Sequence, residues 1–246
     1  MQESKILGII PARWGSTRFP GKPLHCIAGK PLIQHVWEQA QKSNLLKKLI
    51  IATDDERIRG TAENFGAIVY MTSGNHISGT DRIAEVVNKE SDCTHVLNIQ
   101  GDEPMIDPLL IDQLCKKLKD NHNISMITAA LEITDDLDVA NPNIVKTIID
   151  KHNNAIYFSR SLIPYKTSES PAATCYRHKG IYGYTKEFLL KFVRWDPSPL
   201  ELSERLEQLR ALENGEKIHV IITDDDSMGV DTPEQAELVE NLILQN

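Results

Sequence analysis

The chain has 246 residues, 41% of them hydrophobic and 25% charged, with a formal net charge of −8. That length suits one α/β domain with an appendage or two small domains, and the composition is that of a folded globular protein. The acidic balance argues against generic nucleic-acid binding, and no apolar run approaches the length needed to cross a bilayer.

The first apolar run, Ile6 to Ile10, reads as a buried parallel strand. It breaks at Pro11 into a loop carrying Arg13, Arg18 and Lys22, with Gly15 and Gly21 between them. Three cations on so short a loop repel one another unless an anion sits among them, and Arg and Lys are the usual partners of phosphate. A basic loop in an acidic protein therefore points to a focused small-anion site, with a solvated basic loop as the plain alternative. The spacing is not that of a Walker A loop: one residue too many separates Gly15 from Gly21, and Pro23 stands where a magnesium-binding hydroxyl belongs. No G-x-G-x-x-G triplet is present either.

Pro31 suits the first position of a helix, and Leu32, Ile33, Val36, Trp37 and Ala40 follow a helical stripe. Leu49–Ala52 reads as a second buried strand, 57–65 as a helix and Ala67–Met71 as a third strand. A small polar loop, 72–82, opens a helix with Ile83, Ala84, Val86 and Val87 on its apolar side. Val96–Ile99 is the fourth strand and delivers Gln100-Gly101-Asp102-Glu103-Pro104 to the same edge. Asp107 caps and Pro108 starts an amphipathic helix with Leu110, Ile111, Leu114, Cys115 and Leu118 on one face. Strand and helix alternate, as crossovers between parallel strands require. Ligands of such sheets bind beyond the carboxyl ends of the strands, where the basic loop and Asp102 both fall.

From residue 124 the pattern changes. Ser125–Leu131 reads as another buried strand, and 145–150 and 155–159 flank a hairpin-like turn. Residues 164–175, rich in Pro, Ser, Thr and Ala, read as a mobile loop. Residues 176–184 alternate, placing His178, Gly180, Tyr182 and Tyr184 on one face. Ser198-Pro199-Leu200-Glu201 and Thr232-Pro233-Glu234-Gln235 are capping boxes, with a late strand at 218–222 between them. The four cysteines, Cys26, Cys93, Cys115 and Cys175, form no C-x-x-C pair and give no zinc or redox signature. No signal-peptide pattern opens the chain, so reduced thiols and a cytoplasmic location are expected.

Several motifs, in order along nearly the whole chain, closely resemble those of the sugar cytidylyltransferases, best of all the 3-deoxy-manno-octulosonate (Kdo) cytidylyltransferase family. They are Ile9-Ile10-Pro11-Ala12-Arg13, the run 16–24, Gly79-Thr80-Asp81-Arg82, Gln100-Gly101-Asp102-Glu103-Pro104, His178-x-Gly180-Ile181-Tyr182-Gly183-Tyr184, 197–201, Leu206-Glu207-Gln208-Leu209-Arg210 and Gly229-Val230-Asp231-Thr232-Pro233. Lys179 departs from the pattern, which has an apolar residue there, and alternation turns it away from His178.

The resemblance implies a three-layer α/β fold with a mostly parallel sheet, nucleotide-diphospho-sugar transferase-like and Rossmann-like, with a smaller α+β region for substrate and dimerisation. Residues 1–123 would form the nucleotide-binding half, and 124–246 a sugar-binding and dimerisation region completing the same sheet. It implies that CTP and Kdo give CMP-Kdo and pyrophosphate, for lipopolysaccharide biosynthesis. Arg13, Lys22 and Asp102 would be catalytic, and Ala12, Ser16 and Arg18 would join them around the nucleotide. Asp102 and Asp231 would hold Mg2+. Arg82 and Arg160 would meet the sugar carboxylate, and Gln100, His178, Tyr182, Glu207 and Gln208 its hydroxyls. A homodimer is implied, without nucleic acid or membrane. Two alternatives stand beside this reading: a CMP-sialic acid synthetase, and a non-catalytic nucleotide-binding protein on the same fold.

Overall fold

Uninterrupted apolar runs become strands covered on both faces. The computed structural model describes residues 5–15, 19–165 and 174–245. Its first half holds β1 (Ile6–Ala12), β2 (Cys26–Ile27), β3 (Lys30–Pro31), α1 (Leu32–Ala40), β4 (Lys48–Thr53), α2 (Glu56–Asn64), β5 (Ile68–Met71), α3 (Gly79–Lys89), β6 (His95–Asn98) and α4 (Pro108–Asp120). Its second half holds β7 (Met126–Glu132), α5 (Asp136–Ala140), β8 (Lys146–Ile149), β9 (Ala155–Ser159), β10 (Tyr176–Thr185), α6 (Lys186–Phe192), α7 (Pro199–Glu204), α8 (Leu209–Glu213), β11 (His219–Ile222) and α9 (Pro233–Gln245).

Among the described residues nine strands form one sheet in the order β11-β7-β10-β6-β1-β4-β5, with β8 and β9 attached beside β10. The pairs β1–β4, β1–β6, β4–β5 and β11–β7 are parallel, and β10 runs antiparallel to both β6 and β7. Strands from beyond residue 124 thus extend the first half's sheet. Alternation along β1 sends Ile6 and Ile10 to the layer of α1, α2 and α4, and Leu7 and Ile9 to the layer of α3 and α6. A strand buried on both faces needs apolar residues at every position, which is why its sequence shows no polar alternation.

Most element ends shift by a single residue from the sequence reading, and two differ for a reason the pairing gives. β1 runs through Pro11 to Ala12, because its pairing with β6 stops at Ile9 and a missing N–H beyond that point breaks no bond of that ladder. Pro31 precedes α1 as its N-cap and pairs with Cys26. The hairpin turn between β8 and β9 forms as expected: the Asp150 carboxylate accepts from the His152 and Asn154 N–H groups, both at 2.8 Å, and Asn153 takes φ +61°. In the parallel half, β4 lies on one side of β1 and β6 on the other. The connection from β1 leads to β4 and that from β6 to β7, in opposite directions across the sheet, and a crevice opens at the carboxyl ends of β1 and β6.

Candidate active site

The crevice is built by close approach of two chain segments. The Ile99 N–H donates to Ile9 O at 3.0 Å, bringing Gln100-Gly101-Asp102 beside Pro11-Ala12-Arg13. Only glycine fits at 101, because a Cβ there would lie 2.8 Å from Pro11 O. On the basic loop Gly21 takes φ +70°, its N–H donates to Trp14 O at 3.2 Å, and the Trp14 ring covers it. The Arg57 guanidinium stacks 3.3 Å from the centre of the Trp14 ring and is itself held by Asp55. Gly21 leads into the short turn Lys22–Leu24, which presents Lys22 to the crevice.

There Lys22 Nζ donates to Asp102 Oδ2 at 2.7 Å and to Asp231 Oδ1 at 3.1 Å. Asp231 is placed by the α9 cap. Gln235 Oε1 accepts from the Asp231 and Thr232 N–H groups at 2.7 and 3.2 Å, and the Val230 N–H donates to Asp102 O at 2.8 Å. A cavity of about 270 Å³ opens here, lined by Ala12, Arg13, Lys22, Gln100, Gly101, Asp102 and Asp231, and by His76–Gly79 and Arg82 around the amino end of α3. Exposed Arg13 and part-buried Lys22 can meet several phosphate oxygens at once, and the two carboxylates can share a hard cation with them.

A family model for cytidylyltransferases matches residues 7–218. The chain belongs to the cytidylyltransferase family. It is 49% identical over 238 residues to a 3-deoxy-manno-octulosonate cytidylyltransferase of Solibacter usitatus, covering 97% of this chain and 94% of that one. It is 47% identical to the protein of the same name from Fusobacterium nucleatum, covering 98% of both chains. Among solved structures, a CMP:2-keto-3-deoxy-manno-octonic acid synthetase complexed with CTP matches with a TM-score of 0.93 and 39% identity, over 98% of this chain and 99% of that one.

In this cytidylyltransferase, Ala12, Arg13, Lys22, Arg82, Gln100, Asp102 and Asp231 of the sequence reading line one cavity. Ser16 and Arg18 lie outside the described residues, as does most of the 164–175 loop. Arg82 is 3% exposed and engaged elsewhere: its Nη2 donates to Asp54 Oδ2 at 2.8 Å and its Nη1 to Thr72 Oγ1. The other expected sugar contacts stand outside this cavity. Tyr182 packs against His178 with ring centres 5.3 Å apart, and Thr80, beside Gly79 of the cavity wall, donates to Glu207. Gln208 is buried, and its Nε2 has no hydrogen-bond partner among the described residues. Gln100 Nε2 donates to Gly180 O at 3.1 Å and so joins the two groups. Arg160 lies apart, its Nε on Glu204 O at 3.0 Å.

Burial, with the Lys179 charge adding to it, pushes the His178 imidazole down to about 3, so it is neutral at pH 7. Burial pushes the Glu207 carboxyl up, against the hydrogen bonds from Thr80 and Ser78. Sequence reasoning missed His76 as a wall residue. Its Nε2 lies 2.6 Å from Glu85 Oε2. Burial works to raise the Glu85 carboxyl, but Lys89, the Ser73 N–H and His76 together hold it down at about 2. The adjoining G-T-D-R motif was the one available signal for that wall.

Proposed function

We propose that this cytidylyltransferase activates Kdo with CTP, giving CMP-Kdo and pyrophosphate. The carrying observation is the Lys22 bridge to Asp102 and Asp231 at the carboxyl ends of β1 and β6. Relatives named for this reaction match almost the whole chain, and a CTP-bound synthetase matches it with a TM-score of 0.93.

The anomeric hydroxyl oxygen of Kdo forms a bond to the α-phosphorus of CTP and gives up its proton to water. The bond from the α-phosphorus to the bridging oxygen breaks, and pyrophosphate leaves with the electron pair. Charge builds on that leaving group, and Arg13 and Lys22 oppose it. Preorganised cations at developing charge are usually the largest single catalytic contribution.

Asp102 and Asp231 fit magnesium. Their oxygens already flank an ammonium at 2.7 and 3.1 Å, and carboxylate oxygens suit that hard ion. Among the described residues no group of three His, Cys, Asp or Glu side chains converges, so phosphate oxygens and water would complete the shell. Magnesium, when bound, polarises the α-phosphate and orients the attacking hydroxyl. His178, Tyr182, Glu207, Gln208 and Gln100 read the sugar hydroxyls. Arg82 and Arg160 are the two cations for the sugar carboxylate, and each is engaged within the protein, Arg82 by Asp54 and Arg160 by the Glu204 and Pro142 carbonyls. The same reading includes a homodimer in the cytoplasm.

The test is pyrophosphate release across a panel of nucleoside triphosphates and acidic sugars with magnesium. Release with CTP and Kdo is expected. Release with sialic acid in place of Kdo selects a sialic acid synthetase, and no release with any pair selects a binding protein.

A further inference from the structure

Lys179 lies on β10, and its side chain is 3% exposed. A buried ammonium is costly unless hydrogen-bonded and paired, and an apolar side chain of similar length would fill the space without that cost. Its partners indicate why it is there. β10 has an irregular register between Lys179 and Tyr182 against β7. His178 packs on Phe158 and Tyr182, whereas Lys179 Nζ donates to Ser227 O and Ser227 Oγ, both at 2.8 Å. The same Nζ lies 3.6 Å from Glu103 Oε2 and 3.7 Å from Asp225 Oδ2.

Ser227 belongs to the segment 223–232 between β11 and α9, which has no helix or strand of its own. Its internal bonds are local: Ser227 N–H and Oγ both reach the Asp225 carboxylate, at 2.9 and 3.0 Å. The segment is anchored at its start by the Thr223 N–H on Ala130 O at 2.9 Å and at its tip by Arg177 on the exposed Asp226 at 2.6 Å. Beside the site it is held by the Val230 N–H on Asp102 O, by Lys22 on Asp231 and, from the buried side, by Lys179. Lys179 also meets Glu103, the neighbour of Asp102, so one ammonium holds both loops from behind while Lys22 spans their carboxylates in front.

We propose that Lys179 is a positioning residue that sets Asp231 opposite Asp102. This rests on the reading of those two aspartates as the metal-binding pair. Lys179 does not line the cavity and acts through the 223–232 segment.

Two readouts test it in Lys179→Met. Amide hydrogen exchange in 224–231 is expected to quicken while β1 and β4 exchange as in the wild type. The Mn2+ concentration that half-saturates the CTP complex, read by electron paramagnetic resonance, is expected to rise about 10–100-fold, the usual cost of losing a residue that orients metal ligands. CTP binding without metal is expected to stay within about twofold. Wild-type exchange in 224–231 overturns the proposal whether or not metal binds. Faster exchange with unchanged Mn2+ affinity also overturns it. A wild-type protein that binds no Mn2+, with exchange still faster in the variant, keeps the positioning role and removes the metal reading. If Lys179→Met does not fold, Lys179→Met/Glu103→Gln, which neutralises a carboxyl left without its cation, is read by the same outcomes.

Discussion

Lys22 Nζ lies 2.7 Å from Asp102 Oδ2, although 80 residues separate them in the chain. The contact exists because β1 and β6 are neighbours whose loops leave the same edge of the sheet. Removing the cation takes away the bridge between Asp102 and Asp231. Lys22→Met is expected to lower kcat/KM ~10²–10³-fold, by analogy with the loss of a donor at developing charge. Steady-state pyrophosphate release checks this, and a loss under about twofold would show that Lys22 does not act on the leaving group.

Gly101 is fixed by contact with backbone. Its missing Cβ would lie 2.8 Å from Pro11 O, and neither segment can yield without moving Arg13 or Asp102. Gly101→Ala is expected to cost about 1–3 kcal/mol in urea denaturation and to lower kcat/KM as well. Wild-type stability would mean that the two loops are free to part.

Arg82 separates a structural role from a sugar-binding one. It is 3% exposed and paired with Asp54 at 2.8 Å, so breaking the pair leaves an uncompensated acid. Arg82→Met is expected to destabilise the fold by about 3 kcal/mol, with partial recovery in Arg82→Met/Asp54→Asn. A raised KM for Kdo at unchanged stability would instead assign Arg82 to the sugar carboxylate.

His178 gives the protein an acid-sensitive element. Its imidazole titrates near 6.5 when unfolded and about 3 when folded, because burial disfavours the charged ring. Between those values the unfolded chain binds more protons, so stability rises with pH. The contribution is fully present above about pH 6.5 and fades as pH falls towards about 3. Comparing urea midpoints at neutral and mildly acidic pH, His178→Asn is expected to show a smaller difference than the wild type. An equal difference would assign the acid sensitivity to other groups.

Much of the fold was legible because its signals are local. The uninterrupted run at Ile6–Ile10 announces a strand buried on both faces, and Asp107-Pro108 and Ser198-Pro199 announce helix starts. Arg13, Lys22 and Asp102 could be placed together because the alternation of strand and helix brings loop ends to one edge, whereas Asp231 joined them only through the family resemblance. What stayed hidden depends on distant partners. Nothing near Arg82 in sequence announces Asp54, 28 residues away, and nothing near Lys179 announces Ser227. His178 and Lys179 are adjacent in sequence yet serve opposite faces of the sheet, and only the packed neighbours show what each does.

The central claim is that two carboxylates and the cations of the glycine-bearing turn act on one triphosphate. Asp102→Asn tests it most directly, because it keeps the side chain's shape and removes its charge. Pyrophosphate release with CTP, Kdo and magnesium is expected to fall at least ~10²-fold while the circular dichroism spectrum and urea midpoint stay near those of the wild type. Wild-type turnover in the folded variant would contradict the claim.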